Sequence, residues 1–369
     1  MIVRWDDMRA DRALIKEYQK ELDALLKNRI RGMNDIGLLS DEFEFQFAQY
    51  IGMKYAVMVD SGTYALELTL SALGIKEGDS VIIPDVTSLA VPMTIIHRGA
   101  EPIFVDIKEE DLNINEDLIE KQIKKNTKAI IAVHACGRIP CDMKKILTIA
   151  NKYSLYVIED TSQALGSTYK GKKLGSFGDI SIFSFAAHKC ICSCGGGGGA
   201  ICFNNPKYQI IADYVKKWLN DIFILNITKR YPRISLFDLI TIKTKLKYLK
   251  PIVESRLKIE KIYKRELEEV KNIKIFKNKP YVSSTPQDFP IFAEKRDELI
   301  KWLNKNGISV IGQNQPAFHM IENFRKYAQG KYPVSEIYHK KALHLPLISF
   351  MKEEEAMYVV DLIKKFYKR

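Results

Sequence analysis

Over its first half the chain alternates short apolar runs with stretches of ten or more residues at helical spacing, and that alternation leaves few folds open. The runs are Val81-Ile82-Ile83, Pro102-Ile103-Phe104-Val105, Ala129-Ile130-Ile131-Ala132-Val133 and Tyr156-Val157-Ile158. Each suits a strand buried on both faces, and the segments between them suit crossover helices. Repeated βαβ units of this kind predict an α/β fold built on a mostly parallel sheet. Ligands of such sheets bind beyond the carboxyl ends of the strands, so residues just after the runs are the first candidates for chemistry.

With 369 residues the chain exceeds what one core usually supports, so two domains are expected. The division is placed at Ile240, with an N-terminal helix and large domain over 1–240 and a smaller C-terminal domain over 241–369. A long amphipathic helix is predicted from about Leu236 to Val270, kinked or broken at Pro251. The N-terminal helix, about Asp11 to Leu26, carries Leu14, Tyr18, Leu22 and Leu25-Leu26 on one face and needs a surface to cover.

Lys189 follows the strand-like run Ser181-Ile182-Phe183-Ser184-Phe185 and precedes five glycines, Gly195 to Gly199. A lysine attacks a carbonyl only when its pKa is lowered and its position fixed, and a strand end supplies the position. The glycines would let backbone approach a bulky ligand closely. A lone lysine before a glycine-rich turn is usually a surface residue, so the assignment depends on two further segments. After the apolar run 55–59, Ser61-Gly62-Thr63 opens a helical pattern; unpaired N–H groups, the helix dipole and two hydroxyls suit a phosphate there, although a plain N-cap has the same appearance. In Leu155-Tyr156-Val157-Ile158-Glu159-Asp160 a buried strand ends in two carboxylates. Asp160 could keep a pyridine nitrogen protonated, or could simply cap the next helix.

A phosphate cradle, a pyridinium partner and a Schiff-base lysine, in that order, are the parts an enzyme of pyridoxal 5'-phosphate must supply. Five ordered stretches carry a specific likeness: Ser61-Gly62-Thr63, Gly99 to Asp106, Val133-His134-Ala135-Cys136-Gly137, Ile158 to Ala164, and Gly178-Asp179 through Ser184-Phe185 to Lys189. With Tyr332 to Glu336 and Leu345-Pro346-Leu347 before a last helix at Glu353 to Tyr367, they resemble the DegT/DnrJ/EryC1/StrS family of sugar aminotransferases. The resemblance implies the aspartate aminotransferase-like fold of pyridoxal phosphate-dependent transferases. It implies phosphate contacts from Ser61, Gly62, Thr63 and Ser184, Asp160 on the ring nitrogen and Gln163 on the ring hydroxyl. Lys189 would be the covalent and proton-transferring amine, with Asp160 the second catalytic group. The activity implied is transfer of nitrogen from an amino acid, usually glutamate, to a keto sugar normally carried on a nucleotide diphosphate, by a homodimer. Ser88, His188, Arg233 and His319 are candidates for substrate or cross-subunit contacts.

The chain departs from the family pattern at three places. Ser88 stands where an aromatic ring usually covers the cofactor, so either Leu89 or another side chain covers it or the cofactor is held more loosely. Cys190 follows the lysine where asparagine is usual, and Tyr231 replaces an asparagine before Arg233; the stretch Trp218 to Pro232 has little family character. These departures keep two alternatives open: a regulatory paralogue without turnover, and an enzyme for a non-nucleotide keto substrate. A related branch carries histidine in place of the lysine, but His188 lies one residue early, and the register from Ser184-Phe185 favours Lys189 and transamination.

The net charge is +12, and Lys207 to Lys279 holds 19 Lys or Arg against 8 Asp or Glu. Interleaved as in Lys243, Lys245 and Lys247, this reads as a solvated helix face, with attraction of a diphosphate or a peripheral membrane contact as functional alternatives. Nucleic acid is not expected, since no recognition module accompanies the charge. Six cysteines at 136, 141, 190, 192, 194 and 202 read as reduced thiols, and no metal site is expected because Cys190-x-Cys192-x-Cys194 lacks paired C-x₂₋₄-C spacing. The charged start argues against a secretory signal, no apolar run reaches membrane-spanning length, and a cytoplasmic enzyme is expected.

Overall fold

The computed structural model describes residues 2–3, 8–28, 33–217, 233–276, 281–312 and 315–368. Tyr231 and the stretch Trp218 to Pro232 lie outside these described residues. Strands β1 (Tyr55–Val59), β2 (Ser80–Pro84), β3 (Glu101–Val105), β4 (Thr127–Val133), β5 (Tyr156–Asp160), β8 (Ile180–Ser184) and β9 (Gly199–Phe203) form one seven-stranded sheet; the short β6 (Thr168–Tyr169) and β7 (Lys172–Lys173) stay outside it. Its order is β1-β9-β8-β5-β4-β2-β3. Pairs from β3 through β8 are parallel, and β9 runs antiparallel to both β8 and β1. The carboxyl ends of β1, β2, β4, β5 and β8 therefore share one edge. Ile82, Ile130, Val157, Ile158 and Ile182 are buried, as strands covered by helices on both faces require.

A second sheet is smaller, with β10 (Ile273–Ile275), β12 (Phe289–Ala293), β13 (Ile311–Gly312) and β14 (Ala342–Leu345) in the order β10-β12-β14-β13, while β11 (Val282–Ser283) joins β6 and β7. Helices Leu249–Leu267, Arg296–Lys305 and Glu353–Tyr367 pack around its core of Ile291, Leu299, Leu343 and Val359. The N-terminal α1 (Arg9–Asn28) lies along helix Leu236–Lys247, and α2 (Met33–Ile51) packs on β1. Arg9 forms a two-pronged ion pair with Glu355 of the last helix, which ties the N-terminus to the smaller sheet's helices.

The helix expected from Leu236 to Val270 is two helices, and its break lies at Tyr248 (φ −99°, ψ 16°), before Pro251. Proline is tolerated in the first turn of a helix, where its missing N–H has no intrahelical acceptor, so Pro251 starts the second helix well instead of kinking a long one. The solvated-face reading of the basic segment also fails at its centre. Lys245 is buried, with its Nζ 2.5 Å from Asp11 of α1, 2.8 Å from the Cys192 carbonyl and 3.0 Å from Cys192 Sγ. Charge counting could not reveal this, because the answering carboxylate comes from the other end of the chain.

Arg138, after β4, donates from Nε to Glu260 Oε1 at 3.0 Å, and both side chains are only 3% exposed. This pair joins the large sheet's edge to helix Leu249–Leu267. Glu260→Gln is expected to lower the unfolding free energy by ~3–5 kcal/mol, because it leaves a buried guanidinium uncompensated, and urea unfolding measures it.

Candidate active site

The start of α3 (Gly62–Ala72), the end of β5 and the end of β8 converge at the carboxyl edge of the large sheet. Gly199 makes the first contact possible, since it pairs with Val59 on one side and Ser184 on the other. A Cβ at Gly199 would lie 2.5 Å from the Ser61 carbonyl, and one at Gly62 would lie 2.6 Å from Ser184 Cβ. Ser61 caps α3 by accepting from the Tyr64 N–H at 3.2 Å, and Thr63 is exposed beside it. The helix start and the Ser184 hydroxyl therefore form one small concavity suited to an anion. Of the glycine run, Gly195 lies against the Asp238 side chain, Gly198 takes a φ of +117° beside Ile242 and Ile234, and Gly199 lies against the Ser61 backbone, so these three let other parts of the chain approach closely.

Asp160 is buried at the end of β5, where its carboxylate accepts from the Ser162 N–H at 3.0 Å. Its neighbour Glu159 is directed away into a lattice of donors. Burial alone would raise the Glu159 pKa, but His134 Nε2 at 3.1 Å and the N–H groups of Gly175, Phe177 and Gly178 hold it below the usual carboxylate range. The two carboxylates of the motif thus divide, one fixing the strand end and the other left for a ligand. Gln163 is oriented by the Cys136 N–H, which donates to its Oε1 at 2.7 Å.

Lys189 is half-buried after β8 and lines a cavity of about 470 Å³ between the large sheet's edge and the smaller sheet. Burial lowers its pKa, against the opposing fields of Asp160, Asp288 and Cys136. A larger fraction of neutral amine at neutral pH is what a nucleophilic lysine needs. His188 also lines the cavity, and its pKa falls to about 4 through burial and the adjacent Lys189, so it is uncharged at pH 7.

Ser88 and Gln163 line the same cavity, with Val86 and Thr87 beside Ser88. Leu89 is 45% exposed and is not on the wall. Two candidates stand elsewhere. His319 Nδ1 meets the buried Asp85 at 2.5 Å while its ring stacks on Tyr332, and Arg233 Nε donates to the Val215 carbonyl of its own chain at 3.1 Å. Sequence reasoning missed Arg256, Asp288, Tyr338 and His344, which complete the cavity wall. They belong to the smaller sheet and its helices, and no local pattern marks them; His344 at least adjoins Leu345-Pro346-Leu347.

A model of the DegT/DnrJ/EryC1/StrS aminotransferase family matches residues 13–364. The chain is 34% identical over 373 residues to the GDP-perosamine synthase of Escherichia coli O157:H7, covering 96% of this chain and 98% of that protein. It is 32% identical over 362 residues to the dTDP-3-amino-3,6-dideoxy-alpha-D-galactopyranose transaminase of Aneurinibacillus thermoaerophilus, covering 96% of this chain and 98% of that protein. Among solved structures, S. venezuelae DesV in complex with a ketimine intermediate superposes with a TM-score of 0.90 at 26% identity, covering 100% of this chain and 99% of that one. The fold is that of pyridoxal phosphate-dependent aminotransferases. The chain belongs to the DegT/DnrJ/EryC1/StrS aminotransferase family.

The residues present fit the cofactor of that family. A Cβ at position 62 would fill the concavity at α3, an acidic side chain stands at the strand end, and the pKa-lowered Lys189 lies with Gln163 on one cavity wall. Gly62→Ala is expected to push Ser184 away, lower the unfolding free energy by ~1–3 kcal/mol and weaken cofactor affinity. Thermal unfolding and a cofactor titration check it, and Ser184→Gly in the same chain should recover part of the loss.

Proposed function

We propose that the protein moves an amino group from an amino acid, with glutamate as the expected donor, to a keto sugar carried on a nucleotide diphosphate, in glycan or surface-polysaccharide synthesis. The observation that carries this reading is the placement of Lys189, a half-buried amine with a lowered pKa, on the wall of a cavity large enough for a sugar and reached by Asp160's field. Bound pyridoxal phosphate supplies an aldehyde and a protonated ring that draws electrons from the reacting carbon. The chain's residues do the rest. Ser61, Gly62, Thr63 and Ser184 hold the phosphate, Asp160 keeps the ring nitrogen protonated, Gln163 orients the ring hydroxyl, and Lys189 removes and returns the proton at the reacting carbon. Relatives named for GDP- and dTDP-linked amino sugars support the choice of acceptor. Purified protein with cofactor, glutamate and a panel of nucleotide-linked keto sugars, read by mass spectrometry, tests it; production of 2-oxoglutarate with no aminated sugar from any nucleotide-linked member would refute the acceptor.

We further propose a cytoplasmic homodimer with its division into 1–240 and 241–369, in which Arg233 reaches the partner's site. No helix among the described residues is long and apolar enough to cross a membrane. The proposed role of Arg233 requires it to exchange its bond to the Val215 carbonyl for one across the interface. Mixing a Lys189→Ala subunit with an Arg233→Ala subunit is expected to restore one working site per heterodimer, measured as activity regained on subunit exchange. Proven heterodimers that stay inactive would remove Arg233 from the site, and a fully active monomer would remove the dimer.

A further inference from the structure

A thiol, a carboxylate and an imidazole meet on the cavity wall, and apart from the fields of Asp288 and Cys136 on Lys189 the transfer described above gives them no part. One ligand atom from each of Cys136, Asp288 and His344 lies within 4.8 Å of both others. They come from three separate places: the turn after β4, the residue before β12, and β14. Cys136 takes a left-handed φ of 57°, rare outside glycine, and its N–H is pinned by Gln163 Oε1 at 2.7 Å. His344 Nδ1 meets Asp288 Oδ2 at 2.7 Å, and its Nε2 meets the Tyr338 hydroxyl at 2.9 Å. The Asp288 carboxylate is also hydrogen-bonded by the Cys136 thiol, so the three side chains contact one another directly.

We propose that Cys136, Asp288 and His344 form a binding site for one zinc-class divalent cation, with the fourth coordination position open to the cavity beside Lys189. The donor set decides the class of ion. Sulfur, nitrogen and oxygen donors together suit Zn²⁺, whereas Mg²⁺ and Ca²⁺ require about six or more oxygens. Bonds of ~2.0–2.3 Å to a tetrahedral ion place its ligand atoms roughly 3.3–3.7 Å apart, so a trio within 4.8 Å has to draw in by about 1 Å to close on an ion. When the ion takes Nδ1, His344 can donate its Nε2–H to Tyr338, the outer hydrogen bond that metal-bound histidines usually make. Of the nearby cations, Arg138 is balanced by Glu260 at 3.0 Å, and Lys189 is the group the ion would crowd. Three protein ligands and an open position describe an exchangeable site, and its occupant would stand where a substrate must approach Lys189. The binding claim is independent of which sugar or donor is used. The proposed site departs from the expectation of no metal site, which rested on sequence spacing, because its ligands stand far apart in the chain.

The test uses the full chain with its cofactor, freed of metal by a chelator and titrated with Zn²⁺ alone. One zinc per chain is expected by calorimetry, with one sulfur neighbour at ~2.3 Å in the zinc X-ray absorption spectrum. Millimolar Mg²⁺ should not compete. Cys136→Ser should remove the sulfur neighbour, and His344→Gln should weaken binding by at least about ten-fold; these two variants fail independently if one of them disturbs folding. A chain with Cys192→Ser and Cys194→Ser should keep both signals. The proposal is overturned by binding weaker than about millimolar, by a zinc spectrum without sulfur, or by a sulfur neighbour that survives Cys136→Ser and disappears with Cys192 and Cys194.

Discussion

Lys189→Ala is expected to abolish the covalent link to pyridoxal phosphate and to slow amino transfer by at least roughly 10²–10⁴-fold, the range of a lost acid–base group. The cofactor itself should remain bound, because Asp160, Gln163, Ser184 and the start of α3 are untouched by the change. Lys245 and Lys189 are both drawn into the fold near the site, and their surroundings separate them. Lys245 is buried against Asp11 and Cys192, which together raise its pKa over the effect of burial, so it stays an ammonium ion. Lys189 has its pKa lowered by burial, despite the fields of Asp160, Asp288 and Cys136. Only the second can offer a lone pair readily. Borohydride reduction followed by peptide mapping should accordingly place the cofactor on the peptide containing Lys189 and on no other, and leave Lys189→Ala unlabelled. A label at Lys245 would reverse the assignment.

What could be read from sequence was whatever the chain encodes locally. The apolar runs at 81–83, 102–105, 129–133 and 156–158 appear as β2, β3, β4 and β5, because a strand covered on both faces must be apolar along its whole length. Asp160, Gln163, Ser184 and Lys189 lie within the single stretch 160–189, and the register of that stretch carries them to one sheet edge. The opposite wall was not legible. Asp288 and His344 precede and occupy strands of the smaller sheet, and what brings them to Lys189 is the packing of one sheet's elements against the other's, which no periodicity records. Arg256 was hidden by its setting in a basic helix. It is buried, and donates from Nε to Ser349 and from Nη1 to the carbonyls of Gln287 and Leu347, so a residue counted among solvated charges instead fastens the cavity wall. In the glycine run, closeness of approach was encoded locally, but its partners at Gly195 and Gly199, Asp238 and Ser61, come from elsewhere in the chain.

Asp160→Asn is expected to lower the rate of the glutamate half-reaction by roughly 10²–10³-fold while leaving cofactor binding within about ten-fold, a loss equivalent to ~3–4 kcal/mol of electrostatic stabilisation. The asymmetry follows from where the residue stands. Asp160 is buried at the end of β5, with one oxygen fixed by the Ser162 N–H, and it contributes nothing to the anion site at α3, which is formed by Ser61, Gly62 and Ser184. Affinity for the phosphate therefore survives. What would be lost is the negative charge proposed to keep the ring nitrogen protonated, and with it the electron sink that bound pyridoxal phosphate would supply. An amide of nearly the same shape can still fill the space, so packing is retained and the defect is electrostatic. Single-turnover spectroscopy with glutamate isolates this step from sugar binding. A variant with near wild-type rates would show that the ring nitrogen needs no carboxylate here, and Lys189 would then be working without the electron sink on which the assignment of this site depends.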